Sequence, residues 1–413
     1  MKTFSKNYKK IDKCRSCSSN KIVSFLNLGF QPLANSLKQK KNLKESKYPL
    51  SLVFCNSCKL VQLKETVNKS ILFKDYIWVT GTSKDTIKYL ENLGKKIKNL
   101  GFLNSKTLIT EIASNDGTFL KILKKMGYKN LIGVDPAINL AKKANKQGIK
   151  TIADFWSNSL AKKITSKYGK SDLIIARNVI PHVSGLLSVI KGIKKNLSSD
   201  GVGIIEFHDS SLILSELHYD SIYHEHLNYF SLYSIERLLL SNKLYPFHIE
   251  KSPISGGSLV LFFDNGIRNK TKKYLNKIDN DSRNKINDLN TWKKFAKEVK
   301  NHKIQINNFL NKRKNKIIIG FGSSARSQTF LNFCKITSRK ISTIIDNNEL
   351  KHNLYAPGSN IKVKKFTNKV LQNADYIFIL AWNFKKEIMQ QCKASKFSGK
   401  FLTAFPKKIK IIK

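Results

Sequence analysis

Apolar positions recur along the chain with period two in short runs and with helical period between them, and their alternation divides the sequence into three stretches. In residues 1–75 the runs are short strands, expected at 22–28, 52–54 and 60–63, and the segment 28–36 (Leu-Gly-Phe-Gln-Pro-Leu-Ala-Asn-Ser) reads as a loop. From about 84 to 245 helices and strands alternate. Helical periodicity covers 84–99, and strands are expected at 107–113, 130–135, 150–153, 172–176 and 203–207, with helix-length segments between the first four and after Ser184. Such alternation predicts an α/β fold with a doubly wound parallel sheet. Strands at 247–250 and 258–263 follow, then a Lys/Asn-rich stretch with a helical, connecting pattern over 291–310. A second α/β unit begins at Lys316, with strands at 317–319, 342–345 and 376–381. The expected domains are therefore 1–75, 76–250 and 251–413.

A chain of 413 residues is long enough for two or three such domains. Its first ten residues carry charge without the apolar stretch of a secretory signal. Apolar runs such as 173–176 and 317–320 fall far short of the ~20 residues a membrane helix needs. The expectation is a cytoplasmic protein without a membrane partner, monomeric or weakly dimeric. The formal net charge of +47 raises nucleic acid as a partner. Yet the basic residues are 67 Lys against 8 Arg, scattered through every segment, whereas readers of phosphates and base edges favour clustered arginine. The field would attract polyanions at low salt, and it would equally help capture a small molecule bearing a diphosphate.

Four of the six cysteines fall in two pairs, Cys14-x-x-Cys17 and Cys55-x-x-Cys58, separated by 37 residues. Two such knuckles bring four thiolates to one tetrahedral zinc, the donor set of a closed, structural site. A redox pair is the alternative. Cys334 and Cys392 stand alone and read as buried, reduced core residues.

Two turns carry cofactor-like features. Glu111-Ile-Ala-Ser-Asn-Asp-Gly117 follows an apolar strand, with Glu111, Asn115 and Gly117 supplying an acidic, glycine-containing turn and Ala113 where a glycine is common. Asp135-Pro136 closes the next strand, 24 residues after Glu111, where an acidic residue meets ribose hydroxyls. Asp154, after the third strand, would border an adenine. The fourth strand ends in Arg177-Asn178-Val-Ile-Pro-His182, at the edge where open parallel sheets bind ligands. The second turn, Gly320-Phe-Gly322-Ser323-Ser-Ala-Arg326, also opens a helix, and Arg326 would add charge for phosphate. Trp382-Asn383 ends a later strand on the same kind of edge.

Residues 221–230 read Ser-Ile-Tyr-His-Glu-His-Leu-Asn-Tyr-Phe, placing two of the eight histidines beside a glutamate and a tyrosine. A metal site would need both imidazoles aimed one way and a third ligand. On a helix Tyr223 and His226 share a face at i, i+3, which favours a phenol and an imidazole acting on one substrate.

In this order the motifs resemble those of the nucleotide-sugar C-methyltransferases, and the resemblance spans nearly the whole chain. It rests on the paired Cys-x-x-Cys, Leu-Gly-Phe-Gln-Pro-Leu-Ala-Asn, Ser-Asn-Asp-Gly-Thr, Gly-Val-Asp-Pro, Asn-Val-x-x-His-Val, Ile-Tyr-His-Glu-His-Leu-x-Tyr-Phe-Ser, Gly-Gly-Ser-Leu, Gly-x-Gly-Ser-Ser-Ala, Ala-Pro-Gly and Ala-Trp-Asn. It implies a zinc-binding N-terminal domain, a central class I methyltransferase domain binding S-adenosylmethionine and a C-terminal Rossmann-like domain that helps hold a nucleotide-linked 4-keto sugar. It further implies that His226 is the base that forms an enolate, supported by Tyr223, Glu225 and His182, with Tyr76 near the sugar. Gly322, Ser323, Arg326, Trp382 and Asn383 would contact the nucleotide sugar. The chain departs from many relatives in reading Ser255-Gly-Gly-Ser-Leu-Val260 where they read His-Gly-Gly-Ser-Leu-Arg, and Arg326 where they carry Lys. An NAD-dependent oxidoreductase and a zinc-ribbon nucleic-acid-binding protein are the rival readings.

Overall fold

The computed structural model describes residues 7–73, 79–82 and 84–412. Sheets of seven, six and four strands and a two-stranded ribbon organise them. The seven-stranded sheet runs in the spatial order Tyr245–Ser252, Ser258–Asp264, Leu197–His208, Ser171–Arg177, Ile109–Ile112, Leu131–Val134 and Thr151–Ile152. The last five are parallel, as the alternation predicts. Their residues are largely buried because amphipathic helices, among them Thr118–Lys125 and Leu186–Asn196, cover the sheet. From Ile109–Ile112 the chain winds outward on one side, then returns on the other at Ser171–Arg177. That reversal opens a crevice at the carboxyl ends of these two strands.

The strands beyond residue 244 belong to this same sheet. Ser258–Asp264 pairs antiparallel with Leu197–His208, and Tyr245–Ser252 pairs with Ser258–Asp264. A boundary at 250 would therefore cut a strand. The join is tight: a Cβ at Gly203 would meet the Phe263 ring at 2.1 Å, so only glycine lets that ring cross the neighbouring strand.

The four-stranded sheet holds the N-terminal strands in the order Val61–Leu63, Lys47–Cys55 and Ile22–Pro32. Ile22–Pro32 continues through most of the segment expected to be a loop. Its register slips between Asn27 and Phe30, where Gly29 takes φ 81°, so strand pairing survives a bulge at the glycine and the loop begins at Leu33. The fourth strand of this sheet is Asn228–Tyr229, contributed by the chain just after the Tyr-His-Glu-His run.

The six-stranded sheet repeats the doubly wound plan, with Ile318–Phe321 between Ile344–Ile345 and Tyr376–Ile379. Helix Leu289–Asn311 connects the units and is longer than its pattern suggests. Its buried face, Trp292, Phe295, Val299, His302, Ile306 and Leu310, follows helical spacing. It packs into one apolar cluster with Leu26 and Phe54 of the N-terminal sheet, Ile222, and Ile318 and Phe330 of the C-terminal unit. Among the described residues no helix is long and apolar enough to cross a membrane.

Candidate active site

Cys14, Cys17, Cys55 and Cys58 converge so that their four sulfur atoms lie within 4.8 Å of one another. Sγ–Sγ distances of 3.5 Å (Cys14–Cys58) and 3.6 Å (Cys17–Cys55) match the edges of a tetrahedron with arms of ~2.3 Å. The donor set and its spacing fit a zinc ion with no open coordination position. The Gln62 amide donates to Cys14 Sγ at 3.1 Å, and Gln62 pairs in register with Asn228. One residue thus links the cysteine cluster to the segment that follows His226.

The first cofactor-like turn closes over the end of Ile109–Ile112. Ala113 and Asn115 take left-handed conformations, φ 56° and 54°, and Gly117 takes φ 72° ahead of helix Thr118–Lys125. The glycine is required twice over, since a Cβ there would lie 3.2 Å from Ala144 and 3.3 Å from Ile149. Asp135 fastens the turn: one carboxylate oxygen accepts from the Asn115 amide at 2.8 Å, the other from the Ala137 amide at 2.9 Å. A carboxylate has about four acceptor sites, so Asp135 keeps capacity for a hydroxyl pair. Pro136 leads from it into the following helix, while Asp154 is exposed beside Phe155, itself 38% accessible. Glu111 sits below the turn, fully buried, with Oε1 accepting from Arg177 at 2.8 Å. Burial lifts its carboxyl to about 7, against the pull of Arg177.

The Tyr-His-Glu-His run is not helical. His226 N–H donates to Tyr223 C=O at 2.9 Å, a β-turn that brings i and i+3 together as a helix would. The Tyr223 hydroxyl lies 2.7 Å from His226 Nε2, and the rings lie 4.1 Å apart. His226 Nδ1 is 3.1 Å from Ser221 C=O, an acceptor only. Nδ1 therefore carries the ring proton, and Nε2 accepts from Tyr223. His182 stands edge-on at 4.6 Å. Burial takes His226 well below the ordinary imidazole value, helped by His182 and His208, and takes His182 down to about 4. Both rings are neutral at pH 7. With Asn178, His208, Asn228 and Ser255 they line a cavity of about 40 Å³.

The residues flanking Tyr223 and His226 are tied to other units. Arg326 clamps Asp220 through Nε and Nη2 at 2.9 and 2.8 Å, while Trp382 Nε1 donates to the same carboxylate at 2.8 Å. Thr329 donates to Ile222 C=O at 3.1 Å. His224 contacts Tyr48 C=O at 3.3 Å, and the Glu225 carboxylate accepts from Asn35 at 2.6 Å. Burial raises Glu225 to about 7, despite the Asn35 bond. His224 thus has a structural task as an anchor to the N-terminal domain.

Of the residues expected to meet a nucleotide, Gly322 and Ser323 do lie at the second switch point. The Ser323 amide donates to Asp346 at 2.6 Å, the counterpart of Asn115 on Asp135. Arg326 is not presented to that crevice: Asp220, the Ser255 carbonyl (2.5 Å) and the Trp382 ring engage its guanidinium. Trp382 is committed to the same junction, and Asn383 is exposed. Tyr76 lies outside the described residues. Sequence reasoning missed Asn35, Phe155, His208 and Asn228. His208 alone left a readable trace, as the last residue of a parallel strand.

The two switch-point turns, the neutral Tyr–His pair and the four-thiolate cluster define an S-adenosylmethionine-dependent α/β methyltransferase with an appended zinc site, and comparison with known proteins agrees. Family models match in succession: a zinc binding domain over residues 14–73, a methyltransferase domain over 87–244 and a C-methyltransferase C-terminal domain over 253–406. The C-methyltransferase NovU of Streptomyces niveus is 27% identical, covering 96% of both chains. Along nearly its whole length the chain is thus similar to C-methyltransferases of this three-part organisation. Among solved structures, the PH0226 protein of Pyrococcus horikoshii aligns with 19% identity over 45% of this chain and 94% of its own (TM-score 0.37). The magnesium protoporphyrin IX methyltransferase of Synechocystis with bound SAM aligns with 13% identity over 44% and 79% (TM-score 0.34).

Proposed function

We propose that the enzyme methylates a carbon beside the ketone of a nucleotide-linked 4-keto-deoxysugar, through an enolate formed at the Tyr223–His226 pair. The observation that carries this reading is the neutral, half-buried imidazole whose Nε2 is held 2.7 Å from a phenol. A ketone acidifies the neighbouring C–H, and removing that proton needs an acceptor that is unprotonated at working pH, which for an imidazole means neutral. The pair supplies one. Whichever heavy atom meets the carbon, the proton ends on the imidazole and the phenol stays neutral, because Tyr223 can pass its own proton to Nε2 as it takes another.

S-adenosylmethionine supplies an electrophilic methyl group. Asp135 and the turn 113–117 would hold its ribose and amino-acid portions, with Asp154 and Phe155 beside the adenine and Asn178 next to the reacting centre. His182 would orient His226 and stabilise charge on the enolate oxygen. Glu225 would act through its grip on Asn35, and Tyr76 would contact the sugar. Gly322 and Ser323 would cradle the nucleotide's phosphates, Asn383 would border them, and Arg326 and Trp382 would position that site by closing the domain junction. We also read residues 1–75 as the zinc-binding unit, 76–250 as the catalytic unit completed by the strands to Asp264, and the remainder to 413 as the nucleotide-sugar unit.

Incubation with methyl-labelled S-adenosylmethionine and a nucleoside-diphosphate-linked 4-keto-6-deoxyhexose should give a product heavier by one methyl group. Carbon NMR should then show that methyl attached to carbon. Methyl found on oxygen or nitrogen, or no transfer to any such sugar, would overturn the reading.

A further inference from the structure

His208 closes the strand Leu197–His208 and lines the cavity shared with His226, yet the scheme above gives it nothing to do. Only 7% of the residue is accessible. Its Nε2 lies 3.4 Å from His218 Nδ1, and His218 Nε2 lies 3.1 Å from the Glu216 carboxylate, whose side chain is 39% accessible. Its Nδ1 has no hydrogen-bond partner among the described residues.

This chain of contacts fixes the tautomers. An ionised carboxylate only accepts, so His218 carries its proton on Nε2 and accepts at Nδ1. His208 must then donate from Nε2, which leaves Nδ1 as a lone pair. Burial, with Arg326 and His218 adding to it, drives His208 well below the usual imidazole range and keeps the ring neutral. Asn228, also on the cavity, repeats the pattern. Its amide group donates to Pro181 C=O (3.3 Å) and Val183 C=O (2.8 Å), and its Oδ1 is a second buried acceptor without a partner. A buried acceptor left unmade costs ~1–3 kcal/mol. Two around one small cavity call for a ligand that brings donors.

We infer that His208, oriented by His218 and Glu216 and assisted by Asn228, recognises a ring hydroxyl of the sugar, so that the site selects keto sugars that keep a hydroxyl near the reacting carbon. The inference rests on the keto-sugar reading above. A cationic donor such as an ammonium is the poorer match, because the Arg326 guanidinium lies close enough to penalise further positive charge at this ring. Glu216 and His218 are positioning residues; His208 is the group that meets substrate.

The test compares kcat/KM for a nucleoside-diphosphate-linked 4-keto-6-deoxyhexose with the values for its 2-deoxy, its 3-deoxy and its 3-amino-3-deoxy counterparts. Wild-type enzyme should favour the hydroxylated sugar over one deoxy counterpart by about 10- to 100-fold, the range a single unpaired buried acceptor implies. Where the 3-deoxy counterpart is the one disfavoured, the amino sugar should fare no better than it. His208→Phe should bring the ratio within about twofold of unity by losing only the hydroxylated substrate. His208→Gln, which keeps an acceptor, should restore part of the preference, and the surface variant Glu216→Ala should weaken it. Equal rates for all four sugars with wild-type enzyme, or a His208→Phe variant that retains the preference, would overturn the inference. Failure of wild-type enzyme to methylate any of them would instead overturn the keto-sugar reading.

Discussion

His226→Ala should bind S-adenosylmethionine as tightly as the wild type and yet methylate the proposed keto sugar about 10²- to 10⁴-fold more slowly, the range expected for loss of a positioned proton acceptor. The separation follows from the geometry. His226 lies in a turn held by Ser221, Tyr223 and Pro181, whereas the Asn115–Asp135 contact that shapes the cofactor turn lies on another part of the sheet. Tyr223→Phe keeps the ring contact but removes the 2.7 Å hydrogen bond, so its rate should fall less. The pH profile gives a second readout. Burial depresses the His226 pKa below its unfolded value, so the neutral form persists as pH falls through 6.5 and is lost only near the lower, folded value. kcat/KM should therefore stay flat through pH 6.5 and decline below it, and a half-maximal point at 6.5 would mean that His226 is not the group titrating. Calorimetry for the cofactor and steady-state rates for the sugar supply both numbers.

Cys55→Ser, or removal of zinc by a strong chelator, should abolish methylation and unfold the N-terminal sheet, even though no cysteine touches the reaction. Structural zinc in small domains contributes on the order of 10 kcal/mol of folding free energy. Here the sheet it supports includes Asn228–Tyr229 of the active-site run. The Gln62 contact to Cys14, the His224 contact to Tyr48 and the Asn35 bond to Glu225 should all go with it. Metal analysis should return one zinc per chain for the wild type. Limited proteolysis of the variant should cut within residues 7–67 and leave the central sheet protected. Activity surviving complete loss of zinc would show that the run holds its shape alone.

The central sheet was legible because its strands are apolar on both faces and its turns carry Asp, Asn and Gly at fixed places. The turn at 223–226 was legible only in effect: an i, i+3 pairing meets in a β-turn as well as in a helix, and the sequence cannot separate the two. Helix Lys272–Arg283 escaped because its surface is Lys- and Asn-rich, with Tyr274 and Asp281 the buried residues of its face. The place of Arg326 at the domain junction was unreadable for a different reason. A basic residue after a glycine turn looks ready for phosphate, and its partner Asp220 lies 106 residues away in the chain. The link from Glu216 through His218 to His208 was invisible for the same reason as the anchoring by His224. Each means something only through contacts that the fold creates.

Proton NMR of the keto sugar in deuterated buffer, with enzyme and S-adenosylhomocysteine in place of the methyl donor, tests the central claim most directly. The enolate scheme predicts that the proton on the carbon to be methylated exchanges for deuterium with wild-type enzyme and persists with His226→Ala. A proton that stays in place with wild-type enzyme, while the same preparation methylates that carbon once S-adenosylmethionine is supplied, would contradict it.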